Sequence, residues 1–152
     1  MILTHKRSKR RRALTLVETA FVMIPLTMLI FGIFVYGQLL MDWNLLINAA
    51  QTGCRYALAN NTSSTISSDV LSVVNAYLAG KSTSLTNVSI NVSGTHQGNY
   101  YVGNSVNNLA PGDPITVTVT TTYQIPNVIP MVAMPSTINL SSSSTMICEG
   151  GN

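Results

Sequence analysis

Twenty-three consecutive residues without a charge, Thr19 to Met41 (TAFVMIPLTMLIFGIFVYGQLLM), constrain this chain more than any other feature. As a helix the run spans about 35 Å at roughly 1.5 Å per residue, enough for a hydrocarbon core of about 30 Å. Directly before it stand Lys6, Arg7, Lys9, Arg10, Arg11 and Arg12, six of the eight Lys and Arg in the 152-residue sequence. The positive-inside rule holds such a block in the cytoplasm and sends Asp42 and the residues after it across the membrane. The remaining residues, 13–152, carry Arg55 and Lys81 against Glu18, Asp42, Asp69, Asp113 and Glu149, net −3. A nucleic-acid surface spreads its basic residues over the folded part of a chain. Here the basicity is a tail, which argues for membrane lipid as a partner and against nucleic acid. A cleaved secretory signal has an apolar region of only about 7–15 residues and a small-x-small site behind it. This run is longer and passes into MDWNLLINAA in helical register.

The helix is therefore expected to continue beyond the membrane. From Asp42 to Ala59, Leu45, Ala49, Gly53 and Tyr56/Ala57 form a narrow stripe of apolar or small residues at helical spacing, with Asn44, Gln51 and Arg55 elsewhere. Pro25 inside the span forfeits a backbone hydrogen bond and is expected to kink the helix. After the polar NNTSSTISS, the segment DVLSVVNAYLAG predicts a short helix. Ser67 or Ser68 is its N-cap, Val70, Val73/Val74 and Tyr77/Leu78 its apolar face, and Gly80 its end. Beyond Lys81 the period becomes two. NVSINVS, PITVTVTTTYQI and STINLSSSSTMIC predict about three half-buried strands of a small antiparallel sheet, wet on one face. GTHQGNYYVGNSVNNLAPGD and PNVIPMVAMP read as surface loops between them. The fold class is α+β: a long N-terminal transmembrane helix continuing into a head with a short second helix and that sheet.

A catalytic site is not legible. His5 lies in the basic tail and His96 in a predicted loop without a partner. Asp42, Asp69, Asp113 and Glu149 form no pair at helical spacing to share acid and base roles. Asp113, in PGDP, reads as a turn former. Two cysteines cannot close a zinc site, so neither a metal nor another cofactor is expected. Cys54 and Cys148 both fall on the non-cytoplasmic side, where disulfides persist, and a bridge between them is expected. It closes a loop of about 95 residues, worth roughly 4–5 kcal/mol in the chain-entropy treatment. Two small buried thiols are the other reading of the same residues.

The stretch ALTLVETAF resembles the processing site of type IV prepilins, which a peptidase cuts on the cytoplasmic side, before a hydrophobic helix with glutamate at the fifth mature position. So aligned, Ala13 precedes the cut, Leu14 begins the mature chain and Glu18 is fifth. The longer stretch is similar to the TadE-like family of minor pilins and pseudopilins from Tad (tight adherence, Flp-type) pilus systems. The matching residues are Val17-Glu18-Thr19-Ala20, Pro25, Phe31-Gly32-Ile33 and the helix end Asn48-Ala49-Ala50-Gln51-Thr52-Gly53-Cys54-Arg55-Tyr56-Ala57. PGDPITVTVTTTYQIPNVIP looks like that family's later strand and Pro-rich loop. The resemblance covers about residues 10–60 well and 110–148 loosely, and it departs at Ala13, where the family usually has Gly.

It implies a basic cytoplasmic leader (1–13), a long helix (14–59, transmembrane about 19–41) and an extracytoplasmic pilin-like α+β head (60–152). It further implies a non-enzymatic assembly role with a prepilin peptidase, other pilin subunits and the pilus assembly machinery as partners. The chain would sit in the cytoplasmic membrane with its N-terminus inside, and in an extracellular pilus after processing. Removing residues 1–13 deletes all six anchoring charges and exposes an α-amino group at Leu14, which Glu18 of a neighbouring subunit can meet in a bundle of like helices. An uncleaved single-pass protein with an extracytoplasmic binding domain is the alternative, and a membrane-anchored envelope enzyme a third.

Overall fold

The computed structural model describes residues 6–81, 84–125 and 135–148. Helix α1 (Lys6–Ala59) runs through the membrane-length segment and on into the head, and its 54 residues reach roughly 80 Å. Its two halves differ in kind. From Thr15 to Met41 every side chain is exposed except Val35 and Leu39, which are half-buried. From Asp42 onward a stripe of Asp42, Leu46, Ala49, Ala50, Gly53, Cys54 and Ala57 is buried. This face is broader than the expected one and turned toward Leu46, Ala50 and Cys54. Leu45 and Tyr56 flank it, partly buried against the core. The head covers α1 from two sides, a second helix and a sheet, and so buries a wider arc than one neighbour would.

The second helix, α2 (Ile66–Leu78), buries Ile66, Val70, Val74 and Leu78, every fourth residue. It starts before the serines expected to cap it, and its N-cap, Thr65, makes no side-chain capping bond. The Ser63 and Thr65 hydroxyls instead donate to the Asp69 carboxylate at 3.1 and 2.9 Å. The Ser67 N–H, free at the helix start, donates to Oδ1 of Asn104 at 3.1 Å, a cap supplied from a distant turn. Gly80, at φ +74°, follows the helix end as the sequence suggested.

Four strands form one antiparallel sheet: β1 (Leu85–His96), β2 (Asn99–Val102), β3 (Pro114–Gln124) and β4 (Thr137–Ile147), in the order β2-β1-β3-β4. Central β3 keeps the predicted alternation. Ile115, Val117, Val119, Thr121 and Tyr123 are buried under the helices, while Thr116, Thr118, Thr120 and Thr122 line the half-exposed outer face. Three strands were expected, and β2 is the addition, inside what reads as a loop. Gln97 and Gly98, at φ +49° and +81°, make the two-residue turn with both central residues left-handed that a tight hairpin requires. The turn carries Gln rather than Asn or Asp, and four residues are too few to show a period. A 3-10 turn, Gly103–Asn108, then folds Val106 and Leu109 onto the core. Gly94 is needed there, because a Cβ at that position would collide with Leu109. Between Thr86 and Ser89 strand β1 bulges, with Asn87 at φ +53°. The freed Thr86 carbonyl accepts the buried Thr121 hydroxyl at 2.8 Å. Most of the expected PNVIPMVAMP loop, 126–134, lies outside the described residues.

Gly53 is the point of closest approach between the layers. A Cβ there would lie 2.9 Å from Val74 Cγ2, 3.2 Å from Val70 Cγ1 and 3.4 Å from Val117 Cγ1. Valine side chains on a helix have one strongly preferred rotamer and cannot swing away. Gly53→Val should lower head stability by about 1–3 kcal/mol, the usual range for overpacking. Gly53→Ala should come close to break-even, since Ala gains about 1 kcal/mol of helix propensity. Gly37, with nothing within 4 Å of its Cβ position, is the control. Urea unfolding of the full chain in detergent measures all three.

Candidate functional site

The first half of α1 is the feature that demands an explanation. A helix apolar on every side is normally buried in a protein core or in lipid. In this chain the most apolar window of the helix Thr15–Ala59 has none of its residues buried by the rest of the protein. Phe21, Ile24, Ile30, Ile33 and Phe34 all stand exposed. Two hydroxyls within it are closed off. The Thr19 and Thr27 hydroxyls each donate at 2.7 Å to the carbonyl four residues earlier, Thr15 and Met23, which is how hydroxyls are tolerated where no water is available. The helix continues through Pro25, which withholds an N–H from the Phe21 carbonyl. One long apolar helix of this kind is compatible with anchoring in a membrane by a single pass.

The expected processing and assembly residues lie in order along this helix. Lys6, Arg7, Lys9, Arg10, Arg11 and Arg12 occupy its opening turns, and the Ala13–Leu14 bond lies within continuous helix. Glu18 is exposed, without an ion-pair partner among the described residues.

In the head, one pair of groups was missed. His96 ends β1, and its Nδ1 lies 2.6 Å from Oδ2 of Asp113, so it is not the partnerless loop histidine the sequence suggested. The same Asp113 oxygen accepts the Ala110 N–H at 2.6 Å, and the Asp113 carbonyl accepts the Cys148 N–H at 2.8 Å. Asp113 thus ties together the ends of β1 and β4 and the turn before β3. Cys148, whose N–H the Asp113 carbonyl accepts, is not primed as a nucleophile for this pair. Burial first, and then the Asp113 charge, push the Cys148 thiol above its usual range, whereas a reactive cysteine needs its pKa lowered. No group of three or more His, Cys, Asp or Glu placed to hold a metal occurs among the described residues.

Cys54 and Cys148 are both buried and both free, so the expected bridge is not formed. Cys54 Sγ donates to the Ile115 carbonyl at 3.5 Å, and Ile115 pairs with Met146 across the sheet. Cys148 lies two residues further along, a step of about 7 Å for an extended chain, beside Asp113. Packing of the sheet on α1 brings both thiols to one buried interface but not to one rung. Burial, the largest cause, also pushes the Cys54 thiol up.

Asp42, expected only as the first charge past the membrane, is 8% exposed and packed between α1 and the sheet. It lies near Tyr123, whose phenol is pushed up by burial and then by the Asp42 charge. Tyr123 Oη is buried and has no hydrogen-bond partner among the described residues. Sequence spacing gives no sign of this contact, since the two residues lie on α1 and at the end of β3, far apart in the chain.

These features define a class: a single long helix, half uncovered and apolar, carrying a compact α+β head on its other half. Within that class, residues 14–55 match the family model described as TadE-like protein, which bears out the resemblance seen in the helix over those residues. No curated protein and no solved structure matches the chain.

Two outcomes are expected for the head. Cys54, Cys148 and Tyr123 all hold their protons more tightly in the fold than in the unfolded chain, where thiols and phenol ionise at their ordinary values of 9.0 and 10.0. Below those values both states are protonated and stability is full. As the pH rises through and past them, the unfolded chain ionises first and stability falls. Urea midpoints measured from about pH 7 to about pH 10.5 should therefore be flat and then drop. Tyr123→Phe should shrink the drop and raise stability at neutral pH by about 1 kcal/mol, because it removes a buried hydroxyl that pairs with nothing among the described residues. Thiol reagents should label Cys54 and Cys148 only as the head unfolds, with no reductant required. Failure to label the unfolded, unreduced chain would reveal a bridge.

Proposed function

We propose that this chain is a structural, pilus-associated membrane protein, a minor pilin or pseudopilin of a Tad-type system, rather than an enzyme. The observation that carries the reading is the uncovered apolar half of α1, coincident with a TadE-like family match that begins at Leu14. In this reading residues 1–13 are a cytoplasmic leader, and the head lies on the far side of the membrane. A prepilin peptidase cuts between Ala13 and Leu14, deleting all six charges of the basic block. The helix then exchanges lipid for like helices without gaining or losing apolar burial, so little free energy opposes the transfer. Glu18 meets the new α-amino group of a neighbouring subunit, offsetting the burial of both charges.

Ala13, standing where the family usually has Gly, favours a second reading, an uncleaved anchor with an extracytoplasmic binding domain. Intact-mass measurement of the protein from its native host separates the two: a chain beginning at Leu14 supports the pilin reading, and one beginning at Met1 supports the anchor. Glu18→Ala should insert at least as well as the parent, since it removes a carboxylate at the lip of the span, where a charge can only oppose insertion. It should still lose its leader and yet be depleted from the sheared surface fraction, with Glu18→Asp intermediate. Recovery of Glu18→Ala at parental levels in that fraction would leave the carboxylate with no part in assembly.

A further inference from the structure

Where the head meets the helix, a groove of about 210 Å³ opens, lined by Gly32, Val35, Tyr36, Leu39, Tyr123, Ile125 and Ile138. No charged side chain is among these lining residues. The groove lies at the end of the sheet where β3 finishes and β4 begins. There the Ile125 N–H donates to the Ser136 carbonyl at 3.0 Å and the Gln124 N–H to the Ser84 carbonyl at 2.9 Å. These main-chain groups are therefore paired, as backbone must be wherever water is excluded.

The height of the groove along α1 decides what fills it. A hydrocarbon core of about 30 Å takes about 20 helical residues. Counted from Thr19, the first residue beyond Glu18, these end near Gln38, and any tilt moves the limit later still. Gly32 then lies roughly 9 Å inside the hydrocarbon at about 1.5 Å per residue. Sliding the helix outward to free the head would drag Glu18 into the apolar layer at a severe penalty for a lone carboxylate. The groove runs from Gly32 and Tyr36, exposed on α1, up to Val35 and Leu39, which are half-buried, and Ile125 and Ile138 line it too, which places them at or just inside the hydrocarbon boundary. Tyr36, in the groove, and Trp43, two turns above it, are both exposed, and aromatic residues of this kind favour the membrane interface.

We infer that the end of β3 and the start of β4, around Ile125 and Ile138, form a foot embedded in the outer leaflet, and that the groove between it and α1 holds a lipid acyl chain. The inference rests on the reading of α1 as a membrane span. The foot holds the head against the bilayer, so that leaving the membrane requires emptying the groove as well as withdrawing the helix.

Tryptophan quenching by lipids brominated on their acyl chains tests this in the full chain, reconstituted at high lipid-to-protein ratio, with Trp43→Phe as background. Ile138→Trp places the reporter in the foot, at a position already 38% exposed. Ile147→Trp places it at the far end of the same strand, and Phe34→Trp within the span. Quenching at Ile138→Trp should approach that at Phe34→Trp and exceed that at Ile147→Trp several-fold. Thr137→Trp, exposed and adjacent, repeats the reading if Ile138→Trp does not fold. Strong quenching at Phe34→Trp with Ile138→Trp no higher than Ile147→Trp overturns the foot and leaves the span intact. Weak quenching at Phe34→Trp overturns the span itself. Weak quenching at Ile138→Trp with a blue shift that appears only as protein is concentrated would put a second copy in the groove, and overturns the proposal as well.

Discussion

The first half of α1 offers apolar side chains in every direction, and the described head covers only Val35 and Leu39 among them, each in part. At about 25 cal/mol per Å² of apolar surface, leaving such a segment in water would cost more than a small head could offset, given that whole domains are stable by only about 5–15 kcal/mol. Some other apolar medium must surround it. Lipid satisfies this demand, and so, in the proposed reading, would a bundle of identical helices. The closed hydroxyls of Thr19 and Thr27 suit either medium.

The second half of the same helix solves the opposite problem. It must bring a head close enough to share its core, and it does so with small residues: Ala49, Ala50, Gly53, Cys54 and Ala57 let α2 and β3 approach its backbone. The change of rule falls at Asp42, which is buried beside Tyr123 rather than displayed to solvent. A carboxylate, and a phenol without a partner among the described residues, are costly for stability where the two halves of α1 meet. They mark the level below which the groove is lined without charge.

How much of this was legible depends on the kind of pattern each part carries. The span, the α2 face and the alternation of Ile115, Val117, Val119, Thr121 and Tyr123 are periodic over many residues, and periodicity survives in one dimension. The TadE-like likeness was carried by the same helix, through Glu18, Pro25 and the Asn48–Ala57 run. What did not show depends on contacts between distant residues. The four residues of β2 have no room for a period. His96 meets Asp113 only because the β1–β2 hairpin turns at Gln97–Gly98. Topology places both cysteines at the helix–sheet interface, but the β3–β4 register decides where along it Cys148 falls, and no spacing between Cys54 and Cys148 encodes that. Residues 126–134 and the N-terminal five lie outside the described structure, and the expectations for them stand as readings of sequence.

A single-pass anchor with its head outward is tested most directly by its sidedness. With Cys54 and Cys148 replaced by serine, single cysteines at Ser8, in the basic opening of α1, and at Ser143, on the outer sheet face, can be probed with a membrane-impermeant maleimide. The sample is spheroplasts bearing the full chain. Ser143→Cys should label in intact spheroplasts, and Ser8→Cys only once the membrane is opened. Labelling of Ser8→Cys from outside, or recovery of the chain free of the membrane, would contradict a single-pass anchor carrying its head outward.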